Sequence, residues 1–376
     1  MIRYGPAGIP LSCKGRTFKD GIEDVHNLAL TAMEIQLVRP RTFVRPPDEE
    51  CEVGKSMLEL GQDSGFVVGI MREGDVVFDP EAIVSINDSL IEMNSGANAR
   101  FSDLPRLGEV AKNHDVQLSV HAPFYMDLGA DPANEEDPCA SLAMQCLDTV
   151  RFAGSVCNAL DGNIVVTNLG PYDRERSDLG TEANIEANLR FLAGWWKDAG
   201  LKPRLGIEVT GNQDVWGSLE QVLDICDTVD GLTPVMNFAH HHARTCGSLI
   251  TVEDFMDVLD QVGPYSGDMI YSAFASVEYD ADGNERWLTP IKKGDLKFER
   301  LAEALSDLRT NITIISTSPL LEHDAVYMRT LTERVLSKRA AKFLKERRKA
   351  EAAAEAAATK AAATKSAQGG EKEEER

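Results

Sequence analysis

Leu118-Ser119-Val120-His121-Ala122-Pro123-Phe124-Tyr125-Met126-Asp127-Leu128 reads as a short apolar strand that ends in a histidine and breaks at a proline into an aromatic loop. Proline fixes its own φ and has no backbone N–H to donate, so a strand ladder stops there. In barrels of parallel strands the chemistry sits at the C-terminal strand ends. The fold therefore turns on whether other strands of this kind surround the first.

They do, on both sides. Upstream, residues 1–8 read as a strand, 21–31 as a helix with apolar residues near helical spacing, and 33–39 as a second strand stopped by Pro40. Downstream the alternation is regular. Helix 104–113 leads to strand 117–121, helix 139–157 to strand 163–167, and helix 182–198 to strand 204–209. Helix 219–229 then leads to strand 233–238, helix 252–262 to strand 268–273, and helix 298–308 to strand 311–316, with helix 322–348 last. Eight strands, each followed by a helix, predict an α/β fold: a (β/α)8 TIM barrel spanning residues 1–337. A doubly wound open sheet is the alternative, but Gly5-Pro6-Ala7-Gly8 does not form the glycine-rich phosphate signature.

Two stretches depart from the rhythm. Residues 40–102 form an insertion after the second strand, in which apolar runs flank Glu73-Gly74 and predict a β-hairpin. Such a segment either covers the barrel mouth or stands aside as a flap. Residues 338–376 begin with a basic cluster, pass through an alanine-rich repeat, and end in an acidic run. Alanine favours helix but offers little apolar surface to pack, so a helix fraying into a flexible, disordered C-terminal tail is expected. The basic cluster reads either as a nucleic-acid contact or as a solvated helix end.

The chain carries a net charge of −22. The segment 338–376 holds 11 basic and 7 acidic residues, which leaves 28 basic and 54 acidic residues in 1–337. A body so acidic repels phosphate at long range, so any DNA contact needs a local basic patch. The seven cysteines are scattered and form no C-x-x-C pair, as expected of reduced thiols in the cytoplasm. No apolar run has the length of a membrane helix, so no membrane partner is expected.

The strand ends collect polar groups where a pure core would be apolar: Glu34 with Gln36, His121, Asn168, Glu208, Asn237 with His240, Tyr271 with Ser272, and Ser316. His121, Glu208 and His240 are of the types that bind a divalent metal, and three such ligands plus water make a common catalytic zinc arrangement. Each also has a plain structural reading. His121 can be a core histidine bonded to a carbonyl, Glu208 a buried carboxylate paired with an arginine, and His240-His241-His242 a surface triplet.

Four segments then resemble one family. Ser119-Val120-His121-Ala122-Pro123 resembles the zinc-histidine loop of endonuclease IV. Ile207-Glu208-Val209-Thr210-Gly211 resembles the strand carrying its bridging glutamate, and Met236-Asn237-Phe238-Ala239-His240 its aspartate–histidine segment. Ser316-Thr317-Ser318-Pro319-Leu320-Leu321 resembles its E-S-P-L-L. With the opening Met1-Ile2-Arg3-Tyr4-Gly5-Pro6-Ala7-Gly8-Ile9-Pro10, the chain is similar to the archaeal endonuclease IV-like (AP endonuclease family 2) barrels, whose superfamily includes xylose isomerase-like enzymes.

The resemblance implies a zinc site of which His121, Glu208, His240 and Glu285 are kept. Asn168, Asn237, Tyr271, Ser316 and Trp287 stand at its other ligand positions. Neutral side chains cannot offset the charge of a full metal cluster, so the implied cofactor is a divalent metal, zinc, in a reduced site, or none. The implied function is metal-dependent hydrolysis of phosphodiesters at abasic sites in DNA, with Glu208 as central ligand or base. The alternatives are a non-hydrolytic homologue that binds a ligand or partner, and a sugar or sugar-phosphate isomerase or epimerase acting through Glu208 and a histidine on a small sugar.

Overall fold

The structure is a computed structural model that describes residues 1–370 apart from 38–40, 61–65, 78, 80, 95–102, 135 and 173–175. The outer limits of the expected insertion and the tail residues 371–376 lie outside the described residues.

In chain order the elements are β1 (Ile2–Pro6), α1 (Phe18–Asn27), β2 (Ala32–Gln36), β3 (Arg41–Arg45), β4 (Phe66–Arg72), β5 (Asp75–Val77), β6 (Ser89–Asn94), α2 (Leu104–Asn113), β7 (Gln117–His121) and α3 (Ala140–Ala159). There follow β8 (Ile164–Thr167), α4 (Asp178–Asp198), β9 (Arg204–Glu208), α5 (Leu219–Thr228), β10 (Leu232–Asn237), α6 (Phe238–Arg244) and α7 (Val252–Val262). The last are β11 (Met269–Phe274), β12 (Ser276–Tyr279), β13 (Glu285–Thr289), α8 (Phe298–Leu305), β14 (Asn311–Ser316) and α9 (Glu322–Gly370).

Eight parallel strands run in the order β1-β14-β11-β10-β9-β8-β7-β2. At the seam the Thr31 amide donates to the Tyr4 carbonyl at 3.0 Å, and an Ala7–Glu34 bridge links β1 to β2. Gly5 is required at this seam, because a Cβ there would lie 1.8 Å from the Ala32 carbonyl oxygen.

Strand periodicity of two sorts the side chains into two cores. Inside the barrel, Ala32, Ile164, Val166, Val235, Tyr271 and Ile315 form one cluster. The alternate residues, among them Met33, Val120, Val165, Ile207 and Ile314, belong to the larger layer between sheet and helices. There Phe238, Phe255, Phe274 and Phe298 pack with ring centroids 4.9–6.0 Å apart. Aromatic pairs of this kind add about 0.5–1.5 kcal/mol each beyond their buried area. Capping boxes at Thr17–Asp20, Ser218–Gln221 and Thr251–Asp254 begin α1, α5 and α7.

The insertion is an antiparallel sheet of order β3-β6-β4-β5 with its own core of Met57, Leu60, Val67, Ile70, Val84 and Leu90. The expected hairpin is present: β4 and β5 pair across Glu73 and Gly74, whose φ values of 53° and 97° are those of a type I′ turn. The sheet leans on α3, where the Arg151 guanidinium donates to the Val76 carbonyl at 3.3 Å.

Two elements were not anticipated. The short helix α6 follows β10 directly, and a β12–β13 hairpin fills the connection after β11. At the C-terminus α9 is one helix of 49 residues, continuing well past residue 348. Among the described residues no helix is long and apolar enough to cross a membrane.

Candidate active site

Register decides which polar residues reach the barrel interior. On β2, Met33 and Ile35 face the helices, so Glu34 turns inward; on β7, Leu118 and Val120 face out and Ser119 and His121 face in. By the same alternation Glu208 and Asn237 point inward beside Val235. Ser316 follows the interior residue Ile315 and so falls on the helix side, which removes it from the set expected at the mouth.

Two acid–imidazole pairs result. The inner pair is His121 and Glu208, with Nε2 of the histidine 3.2 Å from Oε2 of the glutamate, and both side chains are buried. His121 Nδ1 approaches the Ala122 carbonyl. The Asn237 amide donates to the other oxygen of Glu208 at 2.9 Å. Deeper in the barrel, Glu34 accepts from the Tyr271 hydroxyl at 2.8 Å and from the Gln36 amide at 2.6 Å.

The outer pair is His240 and Glu285, in direct contact through His240 Nδ1 and partly open to solvent. Asn237 caps α6 by accepting from the His240 amide at 3.2 Å, which fixes where that histidine starts. Glu285 comes from β13, not from a barrel strand, and its amide donates to the Gly211 carbonyl at 2.9 Å. Gly211 lets the hairpin come this close: a Cβ there would sit 2.5 Å from a Glu285 oxygen.

The histidine triplet splits. His240 faces the mouth. His242 is buried and accepts from the Leu249 amide at 3.1 Å, holding the loop after α6. Burial and the neighbouring His242 and Arg244 push His241 down to about 4.

The charges are set by the pairing. Burial alone would lower the His121 pKa, but the carboxylates of Glu208 and Glu34 carry it up to about 9. Burial works against Glu208 too, yet His121, His240 and Asn237 hold its pKa below the usual value. Burial is likewise outweighed at His240, which Glu285 raises. Glu34 goes the other way: burial and the charge of Glu208 raise it. Near neutral pH the inner pair is therefore imidazolium and carboxylate, a proton donor and a proton acceptor in contact.

The expected metal ligands His121, Glu208, His240 and Glu285 thus gather at one mouth, but as two pairs whose donor atoms face each other. Among the described residues no three His, Cys, Asp or Glu side chains present donors to a common point. Asn168, which stands where the resemblance implies a ligand, has a buried Oδ1 with no hydrogen-bond partner. Phe124 roofs the inner pair, its ring centroid 4.9 Å from that of His121, and is itself half exposed.

In the sequence Glu34 is a strand-end polar residue without a role, and Tyr271 a neutral group at an implied ligand position. The available signal was a carboxylate at an inward position of an otherwise apolar strand.

An uncharacterized protein of Methanocaldococcus jannaschii is 27% identical over 219 residues, covering 57% of this chain and 76% of its own. Endonuclease IV from Thermus thermophilus superposes with a TM-score of 0.51 at 17% identity, over 89% of this chain and 99% of that one. A D-psicose 3-epimerase from Clostridium cellulolyticum gives the same TM-score at 12% identity, over 88% and 99%. At such identities the likeness shows the fold alone. The family model described as xylose isomerase-like TIM barrel matches residues 90–347, and the chain belongs to that family.

Proposed function

We propose that the barrel mouth carries out proton transfer next to a carbonyl on a small polyhydroxylated substrate, as an isomerase or epimerase of sugar-like compounds. One observation carries this reading: a buried imidazolium–carboxylate contact, His121 with Glu208, at the C-terminal strand ends. Glu208 takes the proton from the carbon beside the carbonyl. His121, held protonated, gives its proton to the carbonyl oxygen as the enediol forms. For isomerisation, Glu208 gives its proton to the former carbonyl carbon while His121 takes the proton of the hydroxyl on the carbon first deprotonated, which becomes the new carbonyl. For epimerisation, the enediol turns its other face to Glu208 before the carbon is reprotonated, and His121 takes back the proton it gave. The unpartnered Asn168 Oδ1 suits a substrate hydroxyl, and His240 with Glu285 lines the outer rim. Entry requires the Phe124 ring to swing off His121.

A second reading, endonuclease IV-like hydrolysis at abasic sites in DNA, draws on one distance. Two ligands of a tetrahedral zinc stand about 3.3 Å apart, close to the 3.2 Å between His121 Nε2 and Glu208 Oε2. It asks His240 to leave Glu285 as the third ligand, and the body's charge opposes DNA.

The test sets a panel of aldoses, ketoses and their phosphates beside an abasic-site duplex, using the wild-type protein and Glu208→Gln. Sugar turnover that falls roughly 10²–10⁴-fold in the variant supports proton transfer. Duplex cleavage lost in the variant, with stoichiometric zinc by elemental analysis and no sugar turnover, overturns it.

A further inference from the structure

The basic end of α9 has no role in the site. From Lys338 to Lys349 it carries seven Lys and Arg and one Glu, all exposed, on a body of 28 basic and 54 acidic residues. The helix continues 33 residues beyond Ser337, about 50 Å at 1.5 Å per residue.

The charges are ordered on the helix surface. Lys338, Lys342, Lys345 and Lys349 follow the i, i+4, i+7, i+11 spacing, so they share an arc of about 60°. No carboxylate among the described residues lies within ion-pair distance of any of the four. Two of the three arginines beside them differ: Arg339 is tied to Asp307 and Arg347 to Glu351. Like charges three and four residues apart oppose helix formation by about 0.2–0.5 kcal/mol per pair. The chain carries this cost on one stripe while pairing two of the three neighbouring arginines.

We propose that this lysine stripe binds the phosphate backbone of duplex nucleic acid, without reading sequence. Evenly spaced lysines on one face of a helix match a polyanion by charge alone. The arm offers a local basic patch on a chain whose residues 1–337 are strongly acidic. An anionic membrane fits less well. The face opposite the lysines has Leu336, Phe343 and Leu344, but Arg347 stands among them, where an interfacial helix needs a continuous apolar face. The inference stands apart from the proton-transfer reading, and neither outcome below depends on turnover.

The test is fluorescence anisotropy of a labelled 20-base-pair duplex DNA of mixed sequence, titrated with the full chain and with the fourfold variant K338Q/K342Q/K345Q/K349Q. Glutamine keeps helix propensity, and circular dichroism checks that the helix remains. Four neutralised phosphates predict a slope of about −3.6 in log K against log salt, a loss of roughly 10²-fold between about 50 and 200 mM. The variant is expected to bind about tenfold or more weakly, with a flatter slope. No binding by the wild-type chain at the lower salt, or equal binding by the variant, overturns the proposal. So does preference for phosphatidylserine vesicles over the duplex, or salt-sensitive self-association of the full chain without DNA binding.

Discussion

His121 and Glu208 are held by opposed pulls, and this makes their behaviour with pH calculable in sign. The folded pKa of His121 is raised from 6.5 to about 9, so the stability it contributes is whole below 6.5 and is lost as pH rises through about 9. Glu208 is lowered below 4.5, so its contribution is whole above 4.5 and is lost as pH falls through its folded value. The contribution of this pair to the denaturant midpoint should therefore be level from about pH 5 to 6.5 and fall toward pH 9. His121→Asn should make that alkaline decline shallower, leaving the part that His240 contributes through Glu285. A wild-type midpoint that stays flat up to pH 9.5 contradicts the pairing. Both residues were legible in the sequence because a polar side chain ended an apolar strand. Their mutual contact was not, since it joins positions 87 residues apart. The neutral groups at 168, 237 and 271 were legible as departures from a ligand set, but not as what they become: Asn237 braces Glu208, and Tyr271 occupies Glu34.

Most barrel strands and helices could be read from periodicity alone, because each strand is apolar and bounded by turn residues. The β12–β13 hairpin could not. Its β13 strand is mostly polar and solvent-facing, and its turn residues, Asp280 to Asn284, resemble any loop. Yet this hairpin delivers Glu285 to His240, through the space that Gly211 leaves open. Gly211→Ala tests the element. A Cβ there pushes Glu285 aside, at a stability cost of about 1–3 kcal/mol. If the outer pair orients substrate, turnover should fall mainly through a raised KM, with the inner pair intact. An unchanged KM, measured with the variant folded, would show that the hairpin only covers the rim.

At the scale of the whole chain, three parts divide the work. The barrel places two acid–imidazole pairs at one end, the inserted sheet rests against α3, and α9 carries an exposed basic stretch on an otherwise acidic chain. Alternation showed the barrel in the sequence, whereas the place of the inserted sheet stayed open there. The extent of α9 was harder to read, because alanine-rich sequence supports a helix without saying what it packs against. The central claim is that Glu208 moves a carbon-bound proton, and deuterium wash-in measures it most directly. Each carbonyl sugar and sugar phosphate of the panel is incubated in D2O with the full chain, and exchange at the carbon beside the carbonyl is followed by NMR. The account predicts incorporation by the wild-type protein for at least one substrate class, reduced roughly 10²–10⁴-fold in Glu208→Gln. No incorporation anywhere on the panel, or equal incorporation by both proteins, would contradict it.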